Sequence, residues 1–385
     1  MTTCLLGGLQ RTQLTSGKLM RTDLSELRVT TPGRICLFGE HQDYLNLPVI
    51  ASAISLRVSI EGHKRDDSRV IIHLPDIGRV ESFSFSEAIA YDKERDYLKS
   101  VVNVLLRHGL HFSRGIECTV HGEIPINAGT SSSSALIVAW VNFLARMSDP
   151  KGVRLSAERI AQYAHEAEVL EFSEPGGMMD HYSTAIGGTI FLESFPRIQV
   201  KKLGAKLGAL VLGNSNEPKD TKFILARVKN QIQEVVRRLE QSHPGFSLRT
   251  MSESGIDAYS HELTEEQVEL LHGTVRNRDI TTQAMKVLRE KNLNHKLIGS
   301  LLNDHQKVLR DILKISTPKI DRMIEAALDA GAYGAKINGS GGGGCMFAYA
   351  PRNAKGVKEA IEGDGEDAYI LTVDEGTHSN IMSAA

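Results

Sequence analysis

A run of small residues that leads directly into an apolar segment is the strongest chemical signal in the sequence. It lies within residues 124–140, where Gly129 and Thr130 are followed by four consecutive serines, Ser131–Ser134. A small-residue turn that opens a helix exposes unpaired backbone N–H groups at the positive end of the helix dipole. Such a turn can bind phosphate, and the alternative is an ordinary serine-capped helix. A Walker loop is excluded because no Gly-Lys-Ser/Thr follows the glycine.

A cluster of polar side chains follows a predicted strand near the N-terminus. Arg34 lies beside the apolar run of that strand, and Glu40, His41 and Asp43 come together after Gly39. Charged groups beside a buried strand are costly unless they are paired or used for binding. Carboxylates and imidazole can hydrogen-bond to sugar hydroxyls, so the cluster indicates a polyhydroxyl-binding site. The alternative is a solvated hairpin turn.

An aspartate after a double glycine is a further candidate for chemistry. Asp180 follows Gly176 and Gly177 and stands between a methionine and His181. The alternative is a turn aspartate that caps the local backbone.

A glycine-rich run near the C-terminus, residues 339–344, formally satisfies the G-x-G-x-x-G pattern. A dinucleotide-binding fold requires a helix after that pattern. Residues 345–350 instead have the composition of a strand, and no βαβ unit precedes the run. We therefore reject dinucleotide binding, and expect the glycines to let the backbone approach another loop or a phosphate closely.

Length and composition limit the class of protein. The chain of 385 residues is long enough for two domains, and its net charge of -2 favours neither nucleic acid nor an anionic membrane surface. Its apolar runs are too short for a membrane span or a signal peptide. Four scattered cysteines without a CxxC pair argue against zinc and disulfides. We expect a cytoplasmic protein that binds neither nucleic acid nor membrane. The cysteines are Cys4, Cys36, Cys118 and Cys345.

Hydrophobic periodicity predicts the elements that position these groups. Thr264 begins a predicted capping box with Gln267, and helices continue from there to residue 330. The predicted strands cover residues 27–31, 49–58, 70–86, 115–120, 187–192 and 210–212. The other predicted helices cover residues 97–107, 132–147, 156–172 and 221–239.

Three separated segments resemble the three motifs of the GHMP kinase superfamily, which includes galactokinases and homoserine, mevalonate and phosphomevalonate kinases. They are residues 32–44, the serine-rich loop that ends at Ser134, and residues 336–345. Their order and spacing match the family, and the resemblance extends over roughly residues 28–380. Within the superfamily, residues 33–44 are most similar to the galactokinase signature, and residues 166–168 and 177–180 resemble the galactokinase catalytic region.

The sequence departs from the galactokinase pattern at several positions. Cys36 replaces the asparagine of the signature, and residues 45–47 replace its Asn-x-Gly. The tyrosine that galactokinases place below the sugar would fall near Ala226. Residues 219–222 and the third motif look more like mevalonate kinases. These departures leave phosphoryl transfer intact and put D-galactose itself in doubt.

The resemblance implies an α+β, two-domain GHMP kinase fold. It comprises an N-terminal ribosomal-protein-S5-like domain over residues 27–200 and a C-terminal ferredoxin-like α/β domain over residues 201–385. Residues 1–26 are an N-terminal extension. The implied activity is an ATP-dependent and Mg²⁺-dependent sugar kinase that phosphorylates the anomeric hydroxyl of a monosaccharide. We expect a monomer or a homodimer.

The resemblance also assigns roles to residues. Asp180 would accept or orient the proton of the acceptor hydroxyl, and Arg34 would keep Asp180 ionised and stabilise the transferred charge. Ser133 and Glu168 would bind Mg²⁺. The predicted sugar-binding residues are Glu40, His41, Asp43 and Gly177. The predicted ATP-binding residues are Asn127, Ala128, Gly129, Thr130, Ser131, Ser132, Ser133 and Ser134.

Two alternatives stay open. The substrate could be another one used by this superfamily, namely a heptose, fucose, a uronic acid or mevalonate, although the pair Asp43-Tyr44 argues for a sugar. A catalytically inactive sugar sensor is the second alternative. Such a protein should have lost the loop serines, Asp180 or Arg34, and this chain keeps all of them.

Overall fold

An eight-stranded sheet organises the first half of the chain in the computed structural model, which describes residues 26–126, 129–218, 220–363 and 365–382. The strand order is β12-β1-β2-β5-β3-β4, and β6 and β7 continue from β2. All neighbouring strands are antiparallel except β3 and β5. The strands are β1 (Glu26–Phe38), β2 (Val49–Lys64), β3 (Arg69–Leu74), β4 (Arg79–Ser84), β5 (Ile116–Gly122), β6 (Thr189–Glu193), β7 (Gln199–Leu203) and β12 (His378–Met382).

Four helices belong to this first sheet, namely α1 (Tyr97–Arg107), α2 (Ser132–Met147), α3 (Ala157–His165) and α4 (Met179–Ile186). Twelve of the sixteen residues of α2 are buried, as expected for a largely apolar helix. It packs on β1 and β2 and contacts the other three helices. The start of α2 and the aspartate of α4 are thereby fixed to the same core.

The predicted helix over residues 156–172 is interrupted. Ser156 caps α3 as expected, since its side chain accepts a hydrogen bond from the backbone of Arg159. However, α3 ends at His165 and a π-helical turn follows over Glu166–Leu170. The α and π periods are too similar for a short segment to be distinguished from sequence.

A four-stranded antiparallel sheet of order β11-β8-β10-β9 organises the second half. The predicted capping box is present at the start of α6, where Thr264 and Gln267 exchange hydrogen bonds. A strand follows the glycine run as predicted, which confirms that this is not a dinucleotide fold. The elements are β8 (Leu210–Asn214), α5 (Thr221–Ser242), α6 (Glu265–Val287), α7 (His295–Lys307), α8 (Pro318–Asp329), β9 (Gly334–Asn338), β10 (Cys345–Tyr349), α9 (Ala354–Glu362) and β11 (Asp367–Leu371).

The sheets do not coincide with the predicted boundary between residues 200 and 201. That position lies inside β7, which pairs with β6, so the first sheet extends to Leu203. The last strand, β12, also returns to pair with β1. The division into two domains stays a prediction.

The predicted extension over residues 1–26 lies outside the described residues except for Glu26, the first residue of β1. No helix in the described ranges is long and apolar enough to cross a membrane.

A buried ion pair joins the segment after β1 to β9. Lys336 Nζ lies 3.0 Å from Glu40 Oε2, and the two side chains are 0% and 3% exposed. Lys336 also donates to the Cys36 carbonyl at 3.0 Å, and Glu40 Oε2 also accepts from the Gly339 N–H at 3.0 Å. Removing one partner of such a pair leaves a buried charge uncompensated.

We expect Lys336→Met to lower the free energy of unfolding by about 3–5 kcal/mol, because the charge of Glu40 is then buried without a partner. Urea unfolding followed by circular dichroism measures this change. The double variant Lys336→Met/Glu40→Gln should recover part of the loss. Lys355→Met, which removes an exposed pair with Glu359, is the control and should cost less than about 1 kcal/mol. Equal losses of unfolding free energy for Lys336→Met and Lys355→Met would contradict the stabilising role of the buried pair.

Candidate active site

The predicted site residues converge on one cleft of about 230 Å³. Thr130 does not line it, because its side chain is 0% exposed, and Asn127 and Ala128 lie outside the described residues. Tyr44, Lys222 and Leu225 contribute to the same wall. The predicted residues that line the cleft are Arg34, Glu40, His41, Asp43, Gly129, Ser131, Ser132, Ser133, Ser134, Glu168, Gly177 and Asp180.

The serine-rich loop is held by side chains from the two other motifs. Arg34 Nη1 and Asn338 Nδ2 donate to the Gly129 carbonyl at 2.6 and 2.8 Å. Asn338 Oδ1 in turn accepts from the Cys36 N–H at 2.9 Å. The three motifs, which are far apart in sequence, therefore meet at one carbonyl group.

The close approach predicted for the glycine run occurs at Gly339. Its φ is +81°, and a Cβ there would lie 2.7 Å from the Gly129 carbonyl oxygen. Three further glycines of the run, Gly341, Gly342 and Gly343, lie against Ile315, Ile224 and Glu217. Gly339 thus provides the close approach to the loop.

The start of α2 is not capped by its own serine. Ser131 has a left-handed φ of 60° and makes no side-chain cap bond, which argues against the ordinary N-cap interpretation. Its hydroxyl instead donates to Asp180 Oδ2 at 2.5 Å. The first-turn N–H groups of α2 are left without a side-chain cap, and the helix dipole makes this end suitable for an anion.

Asp180 is held on both carboxylate oxygens. Its Oδ1 accepts from Arg34 Nε at 2.8 Å and lies 2.7 Å from Arg34 Nη2, and its Oδ2 accepts from Ser131. Burial alone raises the pKa of this carboxyl, but the charge of Arg34 and the hydrogen bond from Ser131 outweigh it, so the net pKa is lowered. Asp180 is therefore ionised at neutral pH and can orient or deprotonate a hydroxyl.

His41 is a neutral part of the cleft wall. Burial lowers its pKa, and its Nε2 donates to the Ser340 carbonyl at 3.1 Å. Its Nδ1 then accepts from the Tyr44 hydroxyl at 3.1 Å. Glu40 is likewise engaged, through Oε2, by Lys336 and Gly339. The predicted contacts of His41 and Glu40 with a substrate stay predictions.

Asp43 lies against the double glycine that precedes α4. Its Oδ2 accepts from the Met179 N–H at 3.2 Å, and its Oδ1 accepts from the Tyr44 N–H at 3.0 Å. A side chain at Gly177 would collide with the Asp43 carboxylate, which explains the glycine. Burial, and then the charge of Asp180, raise the pKa of Asp43 to about 6.

The predicted metal ligands face the same cleft. Ser133 and Glu168 both line it, and Glu168 Oε2 accepts from His181 Nε2 at 2.7 Å. No group of three or more His, Cys, Asp or Glu side chains that could hold a metal occurs in the described part of the chain. A hydroxyl and one carboxylate fit Mg²⁺ that shares the phosphates of a nucleotide, because this cation usually has few protein ligands.

Sequence reasoning gave no role to three residues that shape this site, namely Lys336, Asn338 and His181. The first two stand within the third motif, so the motif itself was the available signal. His181 directly follows Asp180, but nothing in the sequence shows that it reaches Glu168.

Comparisons with known proteins agree with the predicted fold. Residues 96–188 match the GHMP kinases N terminal domain, residues 284–367 match GHMP kinases C terminal, and residues 21–64 match the galactokinase galactose-binding signature. These matches confirm the predicted fold class.

Curated relatives include two kinds of kinase. The mevalonate kinase of Pyrococcus furiosus is 30% identical, and the alignment covers 89% of this chain and 95% of that protein. The galactokinase of Mannheimia succiniciproducens is 27% identical, with 95% and 97% covered. Among solved structures, Lactococcus lactis galactokinase complexed with galactose superposes with a TM-score of 0.81 at 24% identity, covering 92% of this chain and 95% of that one. At that identity the structural match shows the fold alone.

We expect Asp180→Asn and Arg34→Ala each to lower kcat for phosphoryl transfer by roughly 10²–10⁴-fold, the usual effect of removing a positioned acid–base group. Steady-state kinetics measure this, and circular dichroism checks that the variants fold. Asp66→Asn, at an exposed ion pair with Arg114, is the matched control and should retain full activity. Near-normal turnover in both site variants would refute the assigned roles.

The raised pKa of Asp43 predicts a pH-dependent stability. A carboxyl whose pKa rises from about 3.9 unfolded to about 6 folded stabilises the fold while protonated. This contribution is lost as the pH rises from about 4 through about 6. Between pH 4 and pH 7, the free energy of unfolding of the wild-type protein should therefore fall by about 1–3 kcal/mol relative to that of Asp43→Asn. Urea unfolding across this range measures the difference, and a difference that does not change with pH would contradict the argument.

Proposed function

The chain belongs to the GHMP kinase family of phosphotransferases with an alcohol acceptor, and we propose that it transfers the γ-phosphate of ATP to the anomeric hydroxyl of a neutral monosaccharide. One observation carries the proposal. The Asp180 carboxylate, held by Arg34 and Ser131, lies in a cleft that is lined on one side by the phosphate loop and on another by Asp43 and His41.

The phosphate side of the cleft is the proposed ATP site. The backbone of residues 129–134 and the first turn of α2 would bind the phosphates, and Asn127 and Ala128 complete the proposed loop. Ser133 and Glu168 would hold Mg²⁺ through oxygen atoms, as this cation prefers. When bound, Mg²⁺ neutralises charge that develops on the phosphates.

Asp180 and Arg34 would act on the acceptor. The lowered pKa of Asp180 keeps it ionised, so it can orient the acceptor hydroxyl or take its proton. Arg34 is 4% exposed, and a cation in so dry a place stabilises charge on the transferred group more strongly than one in water. Phosphoryl transfer depends mainly on such positioning and charge neutralisation.

The negative charge of Asp43, on the proposed acceptor side of the cleft, favours a neutral substrate. The hydrogen bonds of Asp43 come from backbone N–H groups of Met179 and Tyr44, not from a cation. Its carboxylate would repel the carboxylate of mevalonate or of a uronic acid, and it would accept hydrogen bonds from sugar hydroxyls. The match to the galactose-binding signature supports the same choice.

The identity of the sugar is proposed only as a neutral monosaccharide. The helix α5 contributes Lys222 and Leu225 to the cleft, and the resemblance implies that the tyrosine of galactokinases would fall near Ala226 on the same helix. Mevalonate is the second candidate, because the Pyrococcus furiosus mevalonate kinase is 30% identical and Lys222 at the cleft could pair with a carboxylate.

We place the reaction in the cytoplasm. Among the residues that the structure describes, Cys36 and Cys118 are buried free thiols, and thiols are kept reduced in that compartment. A monomer or homodimer stays the prediction for the assembly.

The proposal predicts ATP consumption with Mg²⁺ and one or more neutral sugars in a panel that contains free hexoses, heptoses, uronic acids and mevalonate. A coupled assay of ADP release measures the turnover, and Asp180→Asn serves as the inactive control. Asp43→Asn should weaken the binding of the accepted sugar, because the sugar hydroxyls lose a charged hydrogen-bond acceptor. Turnover with mevalonate alone would show that mevalonate, and not a sugar, is the substrate. ATP binding without any turnover would favour the catalytically inactive sugar sensor.

A further inference from the structure

We propose that His181 is a positioning residue that holds the Glu168 carboxylate in place for the divalent cation. The inference rests on the proposed function, since it concerns the cation that accompanies ATP in the same cleft. It adds a residue outside the three motifs to the machinery of the site.

The contact joins two separate elements. His181 lies in the first turn of α4, directly after Asp180, and its side chain is 2% exposed. Its Nε2 lies 2.7 Å from Glu168 Oε2, and the Glu168 side chain is 10% exposed. The imidazole therefore fixes the carboxylate from the same helix that carries the proposed catalytic aspartate.

The surroundings of the second ring nitrogen, Nδ1, indicate that this histidine is not there for stability alone. His181 Nδ1 is buried and has no hydrogen-bond partner among the described residues. On its other side the ring meets His165 edge-on, at 5.4 Å between centroids. A buried nitrogen without a partner is destabilising, so the ring is a poor choice for stability alone. The bond to Glu168 is the polar contact that it makes.

Glu168 stands on backbone that needs such a support. It lies in the π-helical turn Glu166–Leu170, where the Glu171 N–H donates to the Glu166 carbonyl at 2.9 Å. Single π turns inside helices occur frequently at functional sites. Ser100 Oγ donates to the Ala167 carbonyl at 2.7 Å and holds the backbone of this turn, whereas His181 holds the side chain.

Partners of this kind matter for metal affinity. Carboxylates that bind metals are themselves hydrogen-bonded, and loss of the partner typically lowers metal affinity or activity by about 10–100-fold. A free Glu168 side chain would sample several rotamers, only some of which face Ser133. His181 selects one of them before the cation arrives.

The experiment compares two amides at this position. In His181→Gln the amide nitrogen can reach the place of Nε2 and still donate to Glu168, whereas in His181→Asn it is too short to do so. The probe is ADP, with its affinity measured by calorimetry in the absence and presence of Mn²⁺. Glu168→Gln provides the reference for a weakened metal site.

We expect Mn²⁺ to strengthen ADP binding to the wild-type enzyme. His181→Asn should reduce this strengthening by about 10–100-fold, while His181→Gln should stay within about threefold of wild type because the donor is kept. The affinity for metal-free ADP should be the same in wild type and in the two His181 variants, because the charge of Glu168 is kept in all three. If His181→Asn does not fold, His181→Met, which has no donor, takes its place in the comparison.

An effect of Mn²⁺ that is the same in His181→Asn and wild type would overturn the inference and leave the proposed kinase function standing. Equal losses in the Gln and Asn variants would also overturn it, since they would show a requirement for the ring and not for the donor. A wild-type enzyme that binds no ADP, with or without Mn²⁺, would overturn the proposed function together with this inference.

Discussion

The buried guanidinium of Arg34 sets the geometry on which the site depends. It donates to the Gly129 carbonyl at 2.6 Å and, through Nε, to Asp180 Oδ1 at 2.8 Å, and its Nη2 lies 2.7 Å from the same oxygen. One planar side chain thereby fixes the distance between the serine-rich loop and the Asp180 carboxylate. A guanidinium presents several donors in a rigid plane, so the two acceptors are held at a fixed spacing.

The second sheet completes the site instead of forming one of its own. Asn338 and Gly339, at the end of β9, press against Gly129, and Lys336 on the same strand neutralises Glu40. These contacts explain why residues near position 340 are needed beside a loop near position 130. They also explain why the glycine run is followed by a strand, because β10 must return alongside β9.

Much of this arrangement was predictable from local signals. Small residues before an apolar run indicated the open helix start at Ser131, and a strand after the glycines excluded a dinucleotide fold. What could not be predicted depends on contacts between distant segments. The pairing of β12 with β1 and the reach of His181 to Glu168 have no local signature. The π turn that carries Glu168 has nearly the same hydrophobic period as the α-helix before it.

A crystal structure of the protein with Mg²⁺ and a non-hydrolysable ATP analogue tests most directly whether Arg34 joins the serine-rich loop to Asp180 at the site of phosphoryl transfer. We expect the γ-phosphate between residues 129–134 and Asp180, with the Arg34 guanidinium still in contact with Gly129 and Asp180. Phosphates bound outside this loop, or an Arg34 side chain turned away from Asp180, would contradict it.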